Sequence, residues 1–311
     1  MQALIDVILP VFVVIGFGYL AAWRGLFADS AVDGVMRYAQ NFAVPCLLFR
    51  NLAGLDLAAS YDLRLFAAFY IGAFASFGLG YLGARQLFSR PAADSIAIGF
   101  VCMFSNSLLL GLPITERAYG PDALAGNYAI ISIHAPAFYA FGITCMELAR
   151  SRGLGLRPAA LARQVVKAIF LQPLVLGITA GFIVNLSGLP LPAALDGGIE
   201  MLAKSAIPAA LFGLGGVLLR YRPEGDGKTI AMICALSLVV HPTVTFGLGH
   251  LLGLDLHQMR SAVMTASMAP GVNAYMFAHL YGVAKRVAAS SVLIATALSM
   301  VTIWGWLQVV P

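Results

Sequence analysis

Ser105-Asn106-Ser107-Leu108-Leu109-Leu110-Gly111-Leu112-Pro113 sits in the middle of an apolar run that extends from about Ala93 to Tyr119. Pro113 has no N–H, and its ring collides with the carbonyl four residues back, that of Leu109, so the sequence predicts a helix break close by. In hydrocarbon each freed backbone group costs several kcal/mol unless protein or trapped water meets it. A break here therefore implies a wet cavity lined by protein. Met268-Ala269-Pro270-Gly271-Val272-Asn273 interrupts the apolar run from about Ala262 to Tyr281 in the same way. Broken helices at matching positions of two halves mark a transporter's binding site, because each second half-helix turns its positive N-terminus toward the bilayer midplane. An anion is the natural guest. The competing reading makes both prolines plain kinks, since Gly and Pro are common in transmembrane helices. Asn, Gly and Pro recurring together in both halves argue against it, because an amide side chain is costly in lipid.

The 311 residues are 60% hydrophobic and 11% charged, with a mean hydropathy of +0.87, which excludes an ordinary soluble domain. The net charge of +5 lies in short loops between apolar runs, a pattern of membrane topology and not of a nucleic-acid groove. Cys46, Cys102, Cys145 and Cys234 fall inside apolar segments without metal-ligand spacing and are read as free thiols. No metal or cofactor motif is present, and neither group is expected. Ala3 to Trp23 lacks a basic n-region and is read as a retained span.

Windows of about twenty apolar residues give ten segments, roughly 3–23, 33–53, 63–88, 93–118, 123–149, 162–186, 196–219, 228–252, 260–281 and 286–308. Of the nineteen Lys and Arg residues, only Arg50, Arg64, Arg117, Lys204 and Arg260 fall on one side. The other fourteen mark the cytoplasmic side and place both termini outside a plasma membrane.

An internal repeat is legible. At an offset of 163, Ala43-Val44-Pro45-Cys46-Leu47-Leu48-Phe49 lies over Ala206-Ile207-Pro208-Ala209-Ala210-Leu211-Phe212, and Asp33-Gly34 falls on Asp196-Gly197. With four more residues inserted, Asn106 falls on Asn273 and Gly111 on Ala278. The expected organisation is a first repeat over 1–149, a cytoplasmic linker over 150–161 and a second repeat over 162–311. Five spans per half is an odd number, so the two halves must insert with opposite orientation. The predicted fold class is an all-α polytopic membrane protein, ten transmembrane helices in two inverted five-helix repeats, with helices four and nine broken at a crossover.

The order of ten spans, the prolines Pro45 and Pro208, the Asn106 to Pro113 break and the Pro270-Gly271-Val272-Asn273 break together resemble the auxin efflux carrier family, including its bacterial permeases. The resemblance covers essentially the whole chain. It implies a fold similar to bile-acid and sodium/proton transporters, with spans one, two, six and seven as a dimerising scaffold. Spans three to five and eight to ten would form a moving transport domain, working by an elevator-type alternation. On this resemblance Ser105, Asn106, Gly111, Pro113, Pro270, Gly271 and Asn273 form the substrate site, the two asparagines contacting substrate and the prolines shaping the crossover. The plant members' long central loop and ionisable residues in span three are missing, since Phe66 to Leu82 carries no charge. The resemblance therefore implies a small organic acid, such as a dicarboxylate, in place of auxin.

Intramembrane ionisable residues are functional candidates by default. Lys204 either adds positive potential to an outward-open cavity or pairs with Glu200 at i,i+4. His134 and His241, each just before a proline, either carry a coupled proton or sit neutral against a freed carbonyl. A secondary transporter of a small organic anion is the expected function, with a symporter of another organic solute or a channel or receptor as alternatives. An intramembrane enzyme would need a metal or nucleophile constellation, and none is found.

Overall fold

The computed structural model describes residues 2–151, 162–163, 165–167, 169, 172–224 and 226–310. Its helices are α1 (Leu4–Trp23), α2 (29–53), α3 (Leu63–Gln86), α4 (Ala92–Met103), α5 (107–119) and α6 (Pro121–Arg150). The second half contributes α7 (Pro173–Ser187), α8 (Ala193–Arg220), α9 (Gly227–Leu251), α10 (Leu256–Ala266), α11 (Val272–Tyr281) and α12 (Lys285–Val309). Six of these, α1, α3, α6, α8, α9 and α12, are long and apolar enough to cross a membrane unaided. The protein is an all-helical, multi-pass membrane protein. The linker predicted over 150–161 lies outside the described residues apart from Arg150 and Ser151, as does much of the first part of the segment predicted over 162–186.

Prolines shape these helices differently from the sequence expectation. The break predicted at Pro113 lies upstream, at 104–106, between α4 and α5. Pro113 sits inside α5, just after a π-helical turn over Ser107–Gly111 in which the Leu112 N–H bonds the Ser107 carbonyl. Pro10, Pro45 and Pro242 repeat the device, each two residues beyond a π turn, over Leu4–Ile8, Ala39–Ala43 and Leu236–Val240. The extra residue in the hydrogen-bonded loop moves the carbonyl out of the ring's way, so the helix widens and continues.

The two true breaks meet each other. Ser105 and Pro270 form an antiparallel bridge, the single such pair among the described residues. The Asn106 N–H donates to the Ala269 carbonyl at 2.8 Å, and the Gly271 N–H donates to the Phe104 carbonyl at 3.0 Å. Four backbone groups that would otherwise be orphaned in hydrocarbon are thereby paired. These two bonds exchange under a shift of 165 residues, which carries Phe104 to Ala269 and Asn106 to Gly271. The sequence alignment of Asn106 with Asn273 is thus corrected. The second break holds five residues where the first holds three, so the N-terminal cap of α5 corresponds to Gly271, and Asn273 lies two residues further on, in the first turn of α11.

α1 packs along α8, and α7 packs along α2. The close approaches are reciprocal: a Cβ at Gly18 would collide with the Phe212 carbonyl oxygen, and one at Gly181 would stand 2.8 Å from that of Phe49. Backbone contact of this kind is how helices associate in a solvent as apolar as their own side chains. α3 packs on α4 and α9, while α12 lies against α9 and α11.

Candidate functional site

Beside the bridge lies a cavity of about 650 Å³, lined from the crossing by Phe104, Ser105, Asn106, Ser107, Leu108 and Leu109 and by Gly271, Val272 and Asn273. α6 contributes Ile131, His134, Ala135 and Tyr139, and α8 closes one side with Val217 and Arg220. α2 forms a further wall through Asp33, Met36, Arg37, Gln40, Asn41 and Val44, beside Gln172, Pro173 and Leu174 at the start of α7.

Asn106 caps α5: its Oδ1 accepts the Leu109 N–H at 3.3 Å, as expected of an asparagine at this position. The cap occupies the oxygen and leaves the Nδ2 protons as donors on the cavity wall. The Ser105 and Ser107 hydroxyls bond each other at 3.0 Å. On the other side no side chain caps α11, because its N-cap is Gly271. The first-turn N–H groups of α11, at Val272 and Asn273, face a polar opening with the positive end of the helix dipole behind them. Tyr139 donates to the Asn273 carbonyl at 3.2 Å and holds that turn in place.

Of the residues assigned to the crossing, Ser105, Asn106, Gly271 and Asn273 line the cavity. Gly111, Pro113 and Pro270 do not. Gly111 and Pro113 are buried within α5, and Pro270 is spent on the bridge. His134 lines the cavity with its ring against Phe104 and Phe138. His241 lies behind it, against Phe69 and away from the cavity. The His134 ring meets the backbone of Ser105, at the first break, and the His241 ring meets the backbone of Phe69. Lys204 is exposed and pairs with Glu200 at 2.8 Å, while Arg50 pairs with Asp196 and Glu200. All four stand away from the cavity.

Sequence reading missed Arg37, Gln40 and Asn41. They fall at i, i+3 and i+4 on one face of α2, and that spacing inside a span was the available signal. Arg220, at the same mouth, is spent on Asp29 at 3.1 Å and Asp33 at 2.7 Å.

Long apolar helices, two interrupted helices meeting by their backbones, and a partly polar cavity at the meeting point are the features of a membrane transporter. A family model described as membrane transport protein matches residues 3–307, and the chain belongs to that family, the auxin efflux carrier family. It is 27% identical, over 100% of its length and 97% of the other's, to a Rhizobium meliloti protein named provisionally as a malonate transporter. It is 23% identical to an Escherichia coli transporter of undefined substrate, over 97% and 96% of the two chains. Auxin efflux carrier component 5 of Arabidopsis thaliana is 21% identical over 95% of this chain and 93% of its own. The family's members are transporters, not enzymes.

Proposed function

We propose that the protein is a secondary transporter of a small organic anion, a dicarboxylate in the first instance. The observation that carries this reading is the crossing itself: the uncapped N-terminus of α11 and the free amide protons of Asn106 face one cavity. Carboxylate oxygens bound there receive charge-assisted hydrogen bonds in a setting of low dielectric. The name of the Rhizobium meliloti relative supports the same substrate class.

The transport cycle is an elevator-type alternation of ten spans in two inverted repeats. In support, α2, the α4–α5 pair, α7 and the α10–α11 pair complete the six long helices to ten, and the Gly18–Phe212 and Gly181–Phe49 approaches repeat at the offset of 163. α1, α2, α7 and α8 form the scaffold and the homodimer face, and the crossing rides on the remaining helices. The distribution of Lys and Arg favours a plasma-membrane protein with both termini outside. The cavity mouth, at Arg37 and Arg220, then faces the cytoplasm.

The test is solute counterflow in proteoliposomes loaded with malonate or succinate. Trans-stimulated, saturable uptake of labelled dicarboxylate is the expected result. Flux that never saturates marks a channel, and binding without flux marks a receptor.

A further inference from the structure

We propose that Arg37, Gln40 and Asn41 form a second recognition pole, which takes the far acidic group of the substrate and so selects two-headed organic acids over single carboxylates. This rests on the reading of the crossing as the first pole. Arg37 is the cavity-lining guanidinium that has no carboxylate partner among the described residues. Among the described residues its one side-chain hydrogen bond runs from Nε to the Asp33 carbonyl at 3.3 Å, and both terminal nitrogens are a fork for a carboxylate.

Asp29, Asp33 and Arg220 together carry one net negative charge, so with Arg37 the mouth is neutral overall, and what Arg37 offers is an unengaged guanidinium fork and not excess charge. The Asp33 carboxylate is bound by Arg220, which also holds Asp29. Gln40 and Asn41 stand on the next turn of the same face and make no hydrogen bond among the described residues, although both line the cavity. Both amides are exposed, so their donors and acceptors are open to a ligand in the cavity. The π turn over Ala39–Ala43 falls at this point and turns the face relative to the rest of α2. The cavity thus has donors at both ends: N–H groups and amides on the crossing, a guanidinium and amides on α2. A single carboxylate satisfies one end only.

The experiment is calorimetric titration of the purified full-length protein with malonate, succinate and glutarate, and with acetate and propionate for comparison. Wild type should bind at least one diacid tighter than either monoacid. Arg37→Gln should lower that preference tenfold or more, with monoacid affinity unchanged, and Arg37→Lys should restore part of it. Asn41→Ala should lower the preference in the same sense, which guards against a folding defect peculiar to the Arg37 variants. Asn106→Ala should weaken both classes alike. Equal losses for both classes in Arg37→Gln, or no loss in either, overturn the proposal. If Asn106→Ala alters nothing while Arg37→Gln still removes the preference, the second pole stands and the crossing fails as the first.

Discussion

Asn106 does two things with one amide. Its oxygen ends the break by capping α5, and its nitrogen is left facing the cavity. Asn273 lines the same cavity and has no capping duty, since Gly271 holds that position. The two asparagines should therefore respond differently to substitution. Asn273→Ala should weaken dicarboxylate binding by roughly ten- to hundredfold, the loss of one donor to a charged acceptor, with the melting temperature little changed. Asn106→Ala should weaken binding by a similar factor and also lower the melting temperature, since it loses a cap worth about 1 kcal/mol. Unchanged affinity in both variants, measured by titration calorimetry, would remove the site from the crossing. Among residues, the apolar positions were legible because hydropathy is carried by each residue alone. The polar face of α2 was missed because Arg37, near the end of the span read as 33–53, counts as a topology charge until α2 is seen to line the cavity.

At the level of elements, helix ranges followed hydropathy closely; the first break did not fall at its proline, Pro113, whereas the second holds Pro270. Four prolines stand two residues beyond a π turn, within continuing helices. Both real breaks end instead on residues that start a new helix, Asn106 and Gly271. Pro113→Ala should thus leave the crossing intact and change dicarboxylate affinity less than threefold, whereas a break made by the proline predicts near-complete loss. A second element is the start of α3. Asp62 caps it, accepting from the Arg64 N–H at 2.8 Å and from Gln258 on α10 at 2.9 Å. Hydrogen bonds from the Arg64 side chain and backbone hold the Asp62 carboxyl down at about 2. A depressed carboxyl contributes stability above its unfolded value, and the contribution fades as pH falls toward 2. Asp62→Asn should accordingly lower the melting temperature near pH 7, and the gap to wild type should narrow steadily between pH 4 and pH 2.5. A gap independent of pH would assign the effect to packing.

For the whole molecule, the decisive measurement is sidedness. In a background without the four native cysteines, single cysteines at Gln2 and Ser151 should react from opposite faces with an impermeant thiol reagent. Same-face labelling would defeat an odd number of spans in the first half. The sequence by itself determined that the chain is a helical membrane protein, where its helices lie and roughly where two of them are interrupted, because hydropathy and helix-capping chemistry are encoded in neighbouring residues. It also carried the family resemblance and the offset of 163 in the outer helices. Only the tertiary structure decided that the breaks pair by backbone hydrogen bonds, that the register there is 165, and that α2 supplies the opposite wall of the cavity. Those facts depend on contacts between residues far apart in the chain, from 104–106 to 269–271 and from α2 to the crossing. Side-chain and backbone packing in three dimensions selects such contacts, and no local pattern specifies them.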